Sequence, residues 1–176
     1  MTGRKTLILG GVRSGKSQLA ERLAVESDLP VTYIATATVQ DEEMQARIAA
    51  HRSRRPDDWR VIEEPLQLAD VLHKHAAPDH CVLVDCLTLW LTNLLLAEDG
   101  NALAREREAL LSILQGLAGE VILVSNETNM GVIPMAELSR RYCAEAGRLH
   151  QDLAQCCDRV VLTVSGLPHT LKGERL

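Results

Sequence analysis

The segment from residue 10 to residue 17, which reads GGVRSGKS, has the residue types and spacing of a phosphate-binding loop. Gly10, Gly15, Lys16 and Ser17 occupy the four fixed positions of the pattern G-x-x-x-x-G-K-[ST]. In such a loop glycines let backbone N–H groups point at phosphate oxygens, the lysine reaches the β- and γ-phosphates, and the serine hydroxyl binds Mg²⁺. The sequence therefore predicts that a nucleoside triphosphate binds here. The predicted contacts are made by Gly10, Gly11, Val12, Arg13, Ser14, Gly15, Lys16 and Ser17.

The residues on either side of this segment determine whether it can work as a phosphate loop. Residues 6–9 (TLIL) form a short apolar run that predicts a strand, and Leu19 and Leu23 with their neighbouring alanines predict a helix. A chance glycine turn before a helix is the alternative interpretation. The order strand, glycine turn, helix favours the phosphate loop, because the positive N-terminal end of the helix then faces the phosphates.

A second group of candidate residues lies on a predicted helix from about Gln40 to Arg54, which Thr38 can cap. Arg47 and His51 on this helix and Arg55 at its end follow one another at four-residue spacing, so one edge is basic and carries a histidine. A solvated basic face is the alternative interpretation. The helix follows the second predicted strand, and ligands of open parallel sheets bind beyond the carboxyl ends of the strands. Arginines at that place would clamp a triphosphate or an acidic substrate.

Carboxylates follow two of the predicted strands. Cys81–Asp85 is an apolar strand that ends in an acid, a pattern that places a carboxylate opposite the phosphate loop to hold Mg²⁺ directly or through water. Glu63 ends another predicted strand, and its alternative interpretation is an exposed carboxylate at a sheet edge. Residues 124–127 (VSNE) end the next strand with polar groups, which would line the cleft or form a simple connecting turn.

Six strand-like runs alternate with helical patterns along most of the 176 residues. The alternation predicts one domain, residues 1–176, with an α/β fold: a mostly parallel sheet that carries helices on both faces. Several strand cores are continuously apolar, as in a sheet covered on both sides. The predicted strands are Thr6 to Leu9, Val31 to Ala35, Arg60 to Glu63, Cys81 to Asp85, Val121 to Ser125 and Val160 to Ser165.

Two of the helices are strongly signalled. Apolar positions recur every three or four residues from Met135 to Leu153, and Pro134 suits the first position of that helix. Residues 102–117 carry leucines on one face, with Asn101 as a plausible cap.

Composition excludes several classes of function. The formal charge of −5 provides no general basic surface for a nucleic-acid backbone, and four aromatic residues leave few rings for stacking on bases. Nucleic acid is therefore not an expected partner. No apolar window is long enough for a signal peptide or a membrane span, so we expect a cytoplasmic protein.

The five cysteines form no C-x-x-C pair, which predicts that they are small buried hydrophobic residues in a reducing compartment. His73, His75 and His80 predict a solvated loop rather than a zinc site.

Further segments share their order with one enzyme family. They are YIAT (33–36), DEEM-x-x-RI-x-x-HR-x-x-RP (41–56), VDCLT (84–88), TNLL (92–95) and VSNETNMGVIP (124–134). With the phosphate loop they carry a likeness that runs from about Thr6 to Ser165, nearly the whole chain. The chain resembles the bifunctional adenosylcobinamide kinase / adenosylcobinamide-phosphate guanylyltransferase family of cobalamin biosynthesis (the CobU/CobP family). The resemblance implies a RecA-like P-loop NTPase fold and a homotrimer.

The resemblance also implies two reactions. ATP or GTP phosphorylates the hydroxyl of the aminopropanol arm of adenosylcobinamide; GTP then gives GMP to a histidine, pyrophosphate leaves, and cobinamide phosphate takes the GMP to make adenosylcobinamide-GDP. By position that histidine is His51, which follows Ala50, although some relatives have two adjacent histidines. Some relatives have Glu where this chain has Asp85. Besides the phosphate loop, the implied nucleotide contacts are Ile34, Ala35, Thr36, Arg52, Ser53, Arg54, Arg55, Glu63 and Asp85, with Ser17 and Asp85 toward Mg²⁺.

The chemistry of these residues agrees with nucleotidyl transfer. A histidine that attacks phosphorus must be neutral, and an unperturbed imidazole, with a pKa of about 6.5, is mostly neutral in the cytoplasm. Neighbouring arginines would favour the neutral form and stabilise the departing pyrophosphate. Two alternatives remain: a monofunctional small-molecule kinase in which His51 merely binds an acidic substrate, and a nucleotide-dependent switch or assembly ATPase.

Overall fold

The structure, a computed structural model, describes residues 3–37 and 56–176. Its seven strands form a single sheet in the order β3-β2-β4-β5-β1-β6-β7, and every neighbouring pair is parallel except β6 and β7. The strands are β1 (Lys5–Gly10), β2 (Val31–Ala35), β3 (Arg60–Glu63), β4 (Cys81–Asp85), β5 (Glu120–Asn126), β6 (Arg159–Val164) and β7 (Leu167–Lys172). The helices in the same ranges are α1 (Lys16–Glu26), α2 (Leu68–His75), α3 (Leu87–Leu95), α4 (Ala102–Leu114) and α5 (Glu137–Cys156).

Helices cover both faces of the sheet, as predicted. The larger apolar cluster contains leucines of α2, α3, α4 and α5 together with alternate residues of the central strands, such as Leu7 and Leu123. The smaller cluster packs α1, through Leu19, Ala20 and Ala24, against the other set of alternate strand residues. Because successive side chains of a strand point to opposite faces, these two sets account for the continuously apolar strand sequences. The predicted fold class is confirmed.

Strand β7 was not predicted. It forms an antiparallel hairpin with β6 through Ser165 and Gly166, both of which have positive φ angles (52° and 79°). Its sequence, LPHTLK, contains a proline and is mostly exposed, so it lacks the apolar pattern of a buried strand. An edge position explains both features, since a proline is tolerated where one side of the strand has no partner.

The helix predicted from Pro134 begins three residues later. Helix α5 starts at Glu137, and Ala136 before it has extended backbone. The Met135 side chain is 93% exposed, so among the described residues it has no core to pack against, whereas Ala146, Leu149 and Leu153 are buried. Pro134 is therefore not at the first helical position, because the apolar periodicity begins before the part of the helix that has a core to face.

Two local predictions also differ in detail. Asn101 does occupy the N-cap position of α4, but its side chain makes no capping hydrogen bond. His73 and His75 lie in the last turn of α2 rather than in a loop, and only His80 is in the loop that follows. Within residues 3–37 and 56–176 no group of three or more His, Cys, Asp or Glu side chains could hold a metal ion.

The described residues also test the predictions about the cysteines and about membrane spans. Cys81 and Cys157 are buried as predicted, Cys86, Cys143 and Cys156 are partly exposed, and all five are free thiols. None of the helices described in these two ranges is long and apolar enough to cross a membrane.

Trp90 is the largest fully buried side chain, and its indole nitrogen donates to the Leu66 carbonyl at 2.8 Å. We expect Trp90→Phe to lower the free energy of unfolding by about 1–3 kcal/mol, because the hydrogen bond is lost and the smaller ring leaves a void. Urea denaturation followed by circular dichroism measures the change. Trp59→Phe, at a partly exposed position, is the control, and an equal loss in both variants would contradict the assignment.

Candidate nucleotide-binding site

The phosphate loop lies between β1 and α1 and is fastened on two sides. The carbonyl oxygen of Gly10 accepts a hydrogen bond from the Glu127 N–H at 2.9 Å, and that of Ser14 accepts one from the Gly166 N–H at 2.9 Å. The end of β5 and the β6–β7 turn thereby hold the two halves of the loop. Helix α1 begins at Lys16, so its first N–H groups and its positive dipole end face the space inside the loop.

Two glycines of the loop are required by space or conformation. A Cβ atom on Gly10 would lie 2.5 Å from Ser14 Oγ and 2.5 Å from the Thr163 carbonyl oxygen. Gly15 has φ of +96°, the left-handed region, and its Cβ would lie 3.2 Å from the Gly166 Cα. Any other residue at either place would distort the loop.

Polar groups inside the loop have the arrangement of a phosphate site. Lys16 is only 8% exposed, and its ammonium donates to the Gly11 carbonyl at 2.8 Å, so the cation is held within the curve of the loop. The Ser14 hydroxyl oxygen is buried and has no hydrogen-bond partner among residues 3–37 and 56–176. A buried hydroxyl without a partner is costly, and a phosphate oxygen would satisfy it.

Asp85 ends β4, two strands away from β1 in the sheet. The Tyr33 hydroxyl donates to Asp85 Oδ2 at 3.2 Å, and the buried Tyr33 ring stacks on Trp59 with 6.5 Å between centroids. This hydrogen bond fixes the orientation of the carboxylate at the carboxyl edge of the sheet. A carboxylate and the Ser17 hydroxyl are hard oxygen donors of the type that Mg²⁺ prefers, with phosphates and water as its other ligands.

Thr36 braces the backbone directly after Asp85. Its hydroxyl donates to the Cys86 carbonyl at 2.6 Å and accepts from the Cys86 N–H at 3.0 Å, while its own carbonyl accepts from Asn93 Nδ2 at 2.9 Å. The side chains of Thr36 and Ile34 are fully buried, and Ala35 is partly exposed. The nucleotide contacts expected of Ile34, Ala35 and Thr36 stay a prediction, and Thr36 has a bracing role that the sequence pattern did not suggest.

Glu63 lies farther from the phosphate loop. It ends β3, the edge strand, where it is exposed and pairs in register with Ala35 of β2. Its role in nucleotide binding stays a prediction.

The polar end of β5 lies next to the phosphate loop, at the sheet edge where the sequence placed it. Asn126 is in register with Gly10, and its backbone N–H donates to Thr88 Oγ1 at 2.8 Å. Thr88 belongs to α3, which begins two residues after Asp85. The end of β5 thus links the loop on β1 to the acid on β4.

The predicted basic helix, with His51, Arg52, Ser53, Arg54 and Arg55, lies outside the described residues. Its role stays a prediction. The described part of the site is therefore the phosphate loop, the acid on β4 and the polar end of β5.

Comparison with known proteins shows the family of the chain. Residues 6–171 match the model of the family described as cobinamide kinase / cobinamide phosphate guanyltransferase. The chain belongs to this family. It is 63% identical over 172 residues to the bifunctional adenosylcobalamin biosynthesis protein CobP of Pseudomonas aeruginosa, covering 98% of this chain and 99% of that one. It is 39% identical to the CobU protein of Salmonella typhimurium, covering 94% of this chain and 98% of that one.

A solved structure from Pyrococcus horikoshii OT3 has a similar fold. Its TM-score is 0.53 at 12% sequence identity, and the match covers 99% of this chain and 88% of that one. At this identity the likeness concerns the fold alone. The assignment of the chain to its family therefore rests on the sequence matches.

We expect Gly10→Ala to weaken triphosphate binding by at least about tenfold, which is ~1.4 kcal/mol of binding free energy. The new methyl group would meet Ser14 Oγ and the Thr163 backbone, both of which the loop needs in place. Titration with a fluorescent ATP analogue measures the affinity. Gly11→Ala is the comparison, because a Cβ there meets nothing within 4 Å, and equal losses at both glycines would show that the contact at Gly10 does not matter.

We expect Tyr33→Phe to raise the Mn²⁺ concentration needed for half-maximal binding to the protein–nucleotide complex by about fivefold, corresponding to a hydrogen bond of ~1 kcal/mol. The reason is that Asp85 loses one of the hydrogen bonds that orient it. Electron paramagnetic resonance of Mn²⁺ measures binding without relying on activity. Tyr142→Phe removes the only other phenol of the chain, on α5, and is the control. Unchanged Mn²⁺ binding in Tyr33→Phe would refute the orienting role.

Proposed function

We propose that this chain phosphorylates adenosylcobinamide with ATP or GTP and then transfers GMP from GTP to the product through a guanylyl-histidine, giving adenosylcobinamide-GDP and pyrophosphate. The observation that carries the proposal is the phosphate loop, with the buried Lys16 ammonium inside its curve, in a chain that matches the family model from residue 6 to residue 171. The curated relatives, named bifunctional, cover nearly the full length of the chain.

In the kinase step the phosphate loop holds the triphosphate and Lys16 neutralises charge on the transferring phosphoryl group. Ser17 and Asp85 are the residues that would hold Mg²⁺, which would neutralise negative charge on the phosphates. Tyr33 and Thr36 support Asp85 through hydrogen bonds to its carboxylate and to the following peptide. The remaining proposed nucleotide contacts are those of residues 34–36, Glu63 and residues 52–55.

In the guanylyl step a neutral nitrogen of His51 attacks the α-phosphorus of GTP, and pyrophosphate leaves. The GMP is then transferred from the histidine to cobinamide phosphate. A covalent intermediate divides one difficult transfer into two. The protein is proposed to work in the cytoplasm as a homotrimer, a state that the family resemblance implies.

The test is to incubate the protein with Mg²⁺ and GTP labelled at the α-phosphate, denature it, and follow protein-bound label. We expect label that is lost in acid and retained in base, as for a phosphoramidate, and none on His51→Ala. His73→Ala, at an exposed histidine on α2, is the matched control and should be labelled like the wild type.

A parallel assay follows phosphate transfer to adenosylcobinamide. Phosphorylation without any adduct would leave a monofunctional kinase, and label that persists on His51→Ala would place the nucleophile elsewhere. Neither activity in the wild-type protein would overturn the proposal.

A further inference from the structure

Three carboxylates follow strands at the carboxyl edge of the sheet: Glu63, Asp85 and Glu127. Neighbouring strands lie about 4.8 Å apart. The strand order therefore puts β3, which Glu63 ends, about 19 Å from β1, the strand that leads into the phosphate loop; β4, which Asp85 ends, lies about 10 Å from β1, and β5, which Glu127 follows, about 5 Å. Of the three residues, Glu127 follows the strand next to β1, its backbone N–H bonds to Gly10 of the loop, and the kinase chemistry described so far gives its side chain no role.

Glu127 is fixed at both its backbone and its side chain. Its N–H donates to the Gly10 carbonyl at 2.9 Å, and its carboxylate oxygen Oε1 accepts from the Asn129 N–H at 2.6 Å. The Asn129 side chain in turn donates to the Cys143 carbonyl of α5 at 3.1 Å. The Glu127 side chain keeps 15% of its surface exposed, so it is ordered by its neighbours but not sealed in the core.

A buried histidine faces the second oxygen of this carboxylate. His150 of α5 is 6% exposed, its Nε2 lies 2.8 Å from Ser125 Oγ, and its Nδ1 lies 3.8 Å from Glu127 Oε2. At that distance Nδ1 makes no hydrogen bond, although it is buried. Burial lowers the pKa of His150, while Glu127 acts in the opposite direction. A neutral ring that accepts from the Ser125 hydroxyl at Nε2 carries its proton on Nδ1, toward the carboxylate.

We propose that Glu127 is a further catalytic residue of the kinase step, the base that accepts the proton of the acceptor hydroxyl, and that His150 is the positioning residue that orients it. The proposal rests on the proposed function. As the acceptor oxygen forms its bond to the γ-phosphorus, the bond from that phosphorus to the β,γ-bridging oxygen breaks and the nucleoside diphosphate leaves. The hydroxyl proton passes to the Glu127 carboxylate.

The other carboxylates are less suited to this role. Asp85 accepts the Tyr33 hydroxyl and is the acid assigned to Mg²⁺, and a carboxylate that binds a cation is a weak base. Glu63 is on the far edge strand. The guanylyl step needs no such base, because a neutral histidine nitrogen has no proton to lose at the attacking atom. Loss of a proton acceptor should therefore slow only the kinase step, whereas loss of a residue that shapes the loop should slow both steps.

The first experiment compares both half-reactions in Glu127→Gln, whose amide oxygen can still accept from the Asn129 N–H. We expect kcat for phosphorylation of adenosylcobinamide to fall about 10²-fold or more, as for loss of a general base. GMP loading of the protein should stay close to the wild-type extent. Unchanged phosphorylation, or equal losses in both half-reactions, would overturn the role of Glu127 as a base.

The second experiment tests His150 as a positioning residue. His150→Leu removes the ring, whereas His150→Asn keeps an amide at the position of Nδ1. We expect the Leu variant to lose roughly ten- to a hundredfold in kinase kcat with little change in KM for nucleotide, and the Asn variant to recover most of the loss. Equal behaviour of the two variants would refute the positioning role.

Asp152→Asn is the control for helix stability, because Asp152 lies two residues farther along α5 and pairs with Arg107 of α4. Thermal unfolding of all variants shows how far α5 is loosened. A kinase loss in Asp152→Asn as large as in His150→Leu would assign the effect to helix packing and overturn the positioning role. An inactive wild-type protein would instead overturn the proposed function itself, whatever the variants do.

Discussion

The phosphate loop depends on two backbone hydrogen bonds that it receives from outside its own segment. One comes from Glu127, just past β5, and the other from Gly166, in the turn between β6 and β7. Both donors come from elements beside β1, because β5 and β6 are the parallel neighbours of β1 in the sheet. The strand order therefore does more than build a core: it places on each side of the loop an N–H group that holds one of its carbonyls outside the phosphate space.

Around Asp85, too, hydrogen bonds from neighbouring elements hold the backbone and the carboxylate, but here the bonds are made by side chains. Tyr33 and Thr36 come from β2 and from the residue that follows it, and both bond to groups at the end of β4. Asn93 of α3 ties the Thr36 carbonyl to that of Pro65. Polar atoms buried at this depth must be paired, and here they pair with one another around the acid. The backbone and side chain at the end of β4 are thus held by groups from β2, from the residue that follows it and from α3.

Much of this arrangement could be predicted from sequence because its signals are local. The loop has fixed spacing, the strands are continuous apolar runs, and Asp85 directly follows one of them. The start of α5 and strand β7 could not be predicted in this way, since the first depends on where the core ends and the second on pairing with β6. The pairs Tyr33–Asp85 and His150–Glu127 join residues that are distant in sequence, so only the strand order and the packing of α5 bring them together. The spacing of His51 and its arginines predicted a basic helix edge beyond the second strand, and the resemblance implied that His51 is the nucleophile; both predictions lie outside the described residues and stay predictions.

The hydrogen bond from Gly166 to Ser14 joins residues near opposite ends of the chain. Contacts of such high sequence separation form late, because the entropy of closing the intervening loop must be overcome first. On a ribosome the glycine loop is synthesised early, yet its second half acquires its support only after the β6–β7 turn has emerged. The nascent chain therefore carries the complete sequence of a phosphate site well before it can hold that site in its working shape.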